Sequence, residues 1–158
     1  MATTVTNASL TVTVTEAITL NGQDYGATNS KVTASINEIA KGIVTGNTDK
    51  NEILGFIASG AAKGSFIEAN VRYIRITNLD DTNFVVLFFT NESSDEFGVK
   101  LDAGQSFIFN ADNVGGVVDT FDANSGGAAS SGQLADLTAI SSQADTASVD
   151  LEYFVACA

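Results

Sequence analysis

Apolar side chains return at every second position through much of this chain, and a backbone whose side chains alternate between two faces is a β-strand. Leu10, Val12 and Val14 alternate with Ser9, Thr11, Thr13 and Thr15. Phe97, Val99 and Leu101 alternate with Gly98, Lys100 and Asp102, and Val149, Leu151, Tyr153 and Val155 with Asp150, Glu152 and Phe154. The pattern commits the chain to sheets packed in layers. It leaves little room for helices, which need a period near 3.6.

Between these runs lie residues that turn a chain. Asn21-Gly22 predicts a tight hairpin, because both tolerate positive φ. Continuing the phase of the first strand would place Glu16 on its apolar face, so a bend or bulge is expected at Thr15 to Ala17. Lys31 to Thr45 reads as strand: Val32, Ala34 and Ile36 keep one phase, and Ile39, Lys41 and Ile43 the opposite one. A bulge at Asn37-Glu38 would reconcile them, with helical spacing at Ile36, Ile39, Ala40 and Ile43 as the rival reading.

Further strands are predicted at Ile53 to Ala58, Val71 to Asn78, Phe84 to Phe89, Ser106 to Phe109 and Leu137 to Ser141. Asp80-Asp81-Thr82-Asn83 and Ala103-Gly104 read as turns, and the Gly/Ala/Ser-rich stretch from Asp122 to Gln133 as a mobile or partner-ordered loop. Both faces of Phe84 to Phe89 are apolar. That run therefore lies between two packed layers or meets another subunit. Nine or ten short antiparallel strands without an internal repeat predict an all-β, jelly-roll-like β-sandwich. One domain over residues 1–158 is expected, with 1–8 as an extended N-terminal arm.

Composition narrows the functions such a sandwich can serve. Nineteen acidic against seven basic side chains give a net charge of −12, which repels nucleic-acid phosphate and speaks against DNA or RNA as a partner. Such a charge serves solubility, and it can also keep copies apart until specific contacts assemble them. No apolar run approaches bilayer-spanning length and the first residues do not resemble a secretory signal, so no membrane partner and synthesis in the cytoplasm are expected.

Histidine is absent, which removes the usual general base, the imidazole triads and the commonest zinc ligand. Cys157, the single cysteine, has no partner for an intrachain disulfide and reads as a small apolar residue closing a strand. Gly115-Gly116 and Gly126-Gly127 lack the strand-loop-helix setting of a phosphate-binding loop. Neither an enzyme nor a resident cofactor is expected. Oxygen-rich sets that could hold calcium are Asp80, Asp81 and Asn83, and Asp119, Asp122 and Asn124, although neither has EF-hand spacing and both residue types are ordinary in turns. Arg72 and Arg75 fall on opposite faces of their strand by parity. Each is expected to be solvated, to pair with a cross-strand carboxylate, or to anchor a subunit contact.

Three stretches taken together add a resemblance: VRYIRITNLDDTNFVVLFF at 71–89, KLDAGQSFIF at 100–109 and ADLTAISSQADTASVDLEYFVA at 135–156. They resemble the small β-sandwich virion proteins of tailed phages that infect marine bacteria, cyanophages among them. TEAITLNG at 15–22 and SINEI at 35–39 are more weakly similar. The resemblance implies a capsid-decorating, fibre or tail-associated part, often trimeric, located in the virion. The expected partners are then the major capsid protein or other virion proteins and further copies of the chain. Contacts would run through Arg72, Tyr73, Phe84, Val86, Phe88 and Phe89 and through the loop at 122–133. The alternative is a receptor- or glycan-binding module of a tail fibre; a hydrolase working with paired carboxylates is the remote third reading.

Overall fold

The computed structural model describes residues 4–60, 64–111, 113–121 and 134–158. It is all-β, with thirteen strands among those residues: β1 Ala8–Glu16, β2 Thr19–Leu20, β3 Gln23–Asp24, β4 Ala27–Ile36, β5 Glu38–Gly46, β6 Asn51–Ile57, β7 Ser65–Ile67, β8 Val71–Asn78, β9 Val85–Asn91, β10 Glu96–Leu101, β11 Ser106–Asn110, β12 Leu137–Ala144 and β13 Val149–Cys157. Nine of them form a β-sandwich. One sheet has the order β10-β9-β12-β6-β7 and the other β11-β8-β13-β5. Every pairing is antiparallel except β6 with β7, which runs parallel. The remaining four strands build two small antiparallel ribbons, β1 with β4 and β2 with β3.

Six of the eight connections from β5 to β13 cross between the large sheets; only β6 to β7 and β9 to β10 join strands that pair within one sheet. The inner faces meet in one core. Ile74 and Ile76 of β8 and Leu151 and Val155 of β13 pack toward Leu54, Leu87 and Ile140 of the opposite sheet. These are the alternate positions that the period-two pattern assigns to a buried face. At the end where edge strands β10 and β11 meet, phenylalanines close the seam. Phe89 stacks on Phe97 with ring centroids 5.0 Å apart and lies 4.8 Å from Phe107, and Phe121 lies 5.3 Å from Phe109.

The first 36 residues follow a different plan. Strands β1 and β4 form a long two-stranded ribbon, continued after a break in the pairing by the short β2-β3 hairpin. Asn21 (φ 51°) and Gly22 (φ 79°) make its two-residue turn, the left-handed pair that such a hairpin requires. No bulge falls at Thr15 or Glu16, which pair regularly with Thr28 and Ala27; the pairing stops at Ala17 and Ile18 and resumes at Thr19. The ribbon ends at Glu16, and the Gly26 N–H donates to the Asp24 carboxylate at 2.8 Å. A Cβ at Gly26 would lie 2.6 Å from the Glu16 carbonyl oxygen, so that close approach requires glycine.

Lys31 to Thr45 is strand, not helix, interrupted at Asn37, where the chain leaves the ribbon (β4) for the four-stranded sheet (β5); the irregularity expected at Asn37-Glu38 is thus a change of sheet instead of a bulge. A bulge does occur earlier, within β4. Ala8 pairs with Ile36 and Leu10 with Thr33, so β4 carries one extra residue there, with Ser35 at φ 63°. This bulge turns Thr33 and Ile36 inward, whereas Val32 stays 58% exposed. Val32, Ala34 and Ile36 therefore do not share a buried face. Further along, β12 extends to Ala144, three residues beyond the predicted Ser141.

Candidate functional site

The outer face of the four-stranded sheet is where the ribbon meets the sandwich. Leu10 and Val12 of β1 pack on Tyr73 and Phe154, with Ile36 and Ala156 completing a small second core. The Tyr73 and Phe154 rings meet edge to face, centroids 5.8 Å apart, a favoured aromatic arrangement. Tyr73 is thus buried beneath a strand of its own chain, and burial raises its phenol pKa, with Arg75 opposing. Arg72 is buried as well. Its guanidinium donates to the Ala69 carbonyl at 2.7 Å.

Arg75 sits on the outer face, where it pairs with Glu152 of the neighbouring strand and donates to Thr77 Oγ1 at 2.5 Å. Lys41 reaches the same carboxylate at 3.0 Å. The two cations, Arg75 first, hold the Glu152 carboxyl below its ordinary pKa. The cross-strand carboxylate expected for an arginine on a strand surface is Glu152.

On the other side of the sandwich, strand β9 splits its apolar run between two environments. Val85, Leu87 and Phe89 are core residues. Val86 and Phe88 are half-buried on the outer face, and Phe84 is half-buried just before the strand. Lys100 Nζ lies 4.3 Å above the Phe84 ring and Lys50 Nζ 4.9 Å above Phe88. Lys50 also pairs with Glu96, which accepts from Thr90 Oγ1 at 3.0 Å. A cation over an aromatic face keeps the ring partly covered while leaving water access at the lysine. The six residues proposed from sequence for subunit contacts therefore fall into separate groups. Tyr73 lies under the ribbon, Arg72 is buried at the start of β8 against the Ala69 carbonyl, Phe89 lies in the core, and Phe84, Val86 and Phe88 lie on the opposite sheet. The loop at 122–133 lies outside the described residues.

The oxygens of the 80–83 turn have structural work. The Asp80 carboxylate accepts the N–H groups of Thr82 at 2.8 Å and Asn83 at 2.6 Å. Those backbone bonds, Asn83 first, lower its pKa. Buried Asn78 supports the turn from below, donating to the carbonyls of Asn83 at 2.9 Å and Leu101 at 3.3 Å. Asp81 accepts from Thr82 Oγ1 and Asn83 from Thr146 Oγ1. Asp80 and Asp81 line an open cleft of about 390 Å³ with Thr45, Leu79, Ser148 and Asp150. Among the described residues no group of three or more His, Cys, Asp or Glu side chains is placed to hold a metal ion. In the second oxygen-rich set, the Asp119 N–H donates to Asp136 Oδ1 at 2.8 Å, and Asp122 and Asn124 lie outside the described residues.

Two further titratable groups are buried. Cys157 ends β13 in the core, where burial first and then Glu38 push its thiol up to about 12. Such a thiol is not a nucleophile at neutral pH. Glu68, in a single 3₁₀ turn before β8, is 7% exposed. Burial, then Asp136, then Glu92 raise its carboxyl above the ordinary value. The apolar neighbours Phe66 and Ile67 mark it as a candidate for burial, but nothing local announces the two distant carboxylates.

The exposed apolar surface lies where sequence did not place it. Ile39 and Ile43, flanking Lys41 on edge strand β5, are 59% and 63% exposed. At the ribbon's tip Ile18, Leu20 and Tyr25 are all more than half exposed. The signal for the second group was Ile18 and Leu20 beside an Asn-Gly turn in an otherwise Thr-rich segment. No family model matches the chain, and a search of curated proteins finds no match.

Proposed function

We propose that this protein is a non-enzymatic structural component of a virion, a capsid-decorating protein that acts by holding subunits together. The observation that carries the reading is the distribution of its apolar surface. A sandwich with a filled core also extends a ribbon whose end is apolar, and leaves apolar side chains on an open sheet edge. Monomeric soluble domains bury or blunt such features, because exposed apolar patches and unpaired edges drive association. The reactive groups fit the same reading. Cys157 is buried with a raised pKa, Arg75 is neutralised by Glu152, and Asp80 serves a turn.

A decorating protein of this kind works by geometry. Its rigid sandwich spans a fixed distance, and its apolar contacts with neighbouring copies and with the major capsid protein spread mechanical load over many weak contacts. The acidic surface keeps unassembled copies soluble. The test is co-sedimentation of purified protein with phage heads lacking decoration, followed by heating of the particles. Saturable binding and a higher temperature of genome release are expected. Absence of binding to heads, alongside saturable binding to cell-surface glycans, would replace this reading with that of a receptor-binding module.

A further inference from the structure

We infer that the tip of the β1–β4 arm docks on a second copy of this chain, against Ile39 and Ile43 of that copy's β5. At the tip, Thr19 pairs with Asp24, Leu20 pairs with Gln23, and the Tyr25 N–H donates to the Ile18 carbonyl at 3.0 Å. That register puts Ile18, Leu20 and Tyr25 on one face. They are 54%, 56% and 64% exposed, so nothing among the described residues covers them. The same arm is already an adhesive element at its root, where Leu10 and Val12 seat on Tyr73 and Phe154. The tip continues past that seat with apolar side chains and no sheet beneath it. An isolated two-stranded hairpin is marginal in water and gains stability from packing on another surface.

Charge selects the occupant. Residues 1–36 carry two carboxylates, Glu16 and Asp24, and one amine, Lys31, a net charge of −1. Since the whole chain carries −12, the remaining residues hold −11. Two copies meeting through their acidic bodies would repel, whereas an almost neutral arm reaching a neighbour does not. The receiving surface fits this requirement. Ile39 and Ile43 bracket Lys41, whose ammonium is paired with Glu152, on a strand whose other edge pairs with no strand among the described residues.

Because tip and β5 are different surfaces, the contact is head-to-tail and closes into a ring when the rotation permits. This inference narrows the assembly reading above and rests on it for the biological setting alone.

Sedimentation velocity of the full chain over a concentration series tests it. Wild type is expected to associate. The double variant Ile18→Asp/Leu20→Asp and, separately, Ile43→Asp should each raise the dissociation constant at least 100-fold, while Leu79→Asp, an exposed site away from the arm, leaves it unchanged. All four positions are exposed, so an unchanged circular dichroism spectrum verifies the fold. A wild-type chain that stays monomeric, or one whose association survives the tip or Ile43 substitutions, overturns the inference. Association through the arm without any affinity for phage heads would sink the virion assignment and leave the arm's docking standing.

Discussion

Phe89 concentrates the packing argument in one side chain. Only 2% exposed, it touches the rings of Phe97, Phe107 and Phe121 and so ties both sheets at their common end. Phe89→Ala is expected to cost about 3–5 kcal/mol, measured by urea unfolding, because the surrounding rings cannot all collapse into the void. Glu68 works in the opposite sense. Its carboxyl has a higher pKa folded than unfolded, so the folded state is penalised once pH rises above the unfolded value near 4.5. Glu68→Gln should therefore raise Tm at pH 7, and the gain should vanish near pH 4; an equal gain at both pH values would show that the charge is irrelevant. Cys157 should resist thiol reagents at pH 8 in the native state and react completely in denaturant, as a mass shift would report. The fates of these residues were unequally legible. Cys157 was readable as a strand-closing apolar residue because its neighbours alternate. Phe89 was not readable as core, because Phe84 to Phe89 is apolar on both faces and period two cannot choose between them. Glu68 depends on Asp136 and Glu92, which only the fold brings near.

Among the elements, the arm shows both the reach and the limit of a sequence pattern. Thr-Val alternation marks β1 as strand, and Asn21-Gly22 fixes the hairpin because two successive left-handed residues admit few other sequences. What buries Leu10 and Val12 is a long-range matter that alternation does not encode. The bulge at Ser35 went unpredicted for a related reason. A bulge is chosen by which residues must face the sheet, and here Thr33 and Ile36 do. In dissociated protein, amides of the β2-β3 tip should exchange with solvent at least 100-fold faster than those of β8 and β13, read by hydrogen-exchange mass spectrometry. Equal protection would mean that the tip is as firmly held as the sandwich. The segment joining the core to β12 has its own constraint at Gly116. Its φ is 66°, and a Cβ there would lie 2.2 Å from the Glu68 carbonyl oxygen. Gly116→Ala should destabilise by roughly 2 kcal/mol or more, since it adds a backbone clash to left-handed strain.

For the molecule as a whole, acid acts through groups whose charged forms the fold holds. Asp80, Glu96 and Glu152 all have lowered pKa values. Their contribution is complete above the unfolded carboxylate range near pH 4 and is lost as pH falls through the lower folded-state values. Unfolding followed by circular dichroism should therefore begin below about pH 4, with these groups taking nothing from stability at pH 5. The topology has a consequence for how the protein is made. Strand β12 lies between β9 and β6, and β13 between β8 and β5, so the middle of each sheet comes from residues later in the chain than both its flanks. Until β12 and β13 have left the ribosome, neither sheet can close. The emerging polypeptide carries two sets of half-finished edges until Cys157 clears the exit tunnel, and a message cut short before Leu137 yields a product with nothing to join them.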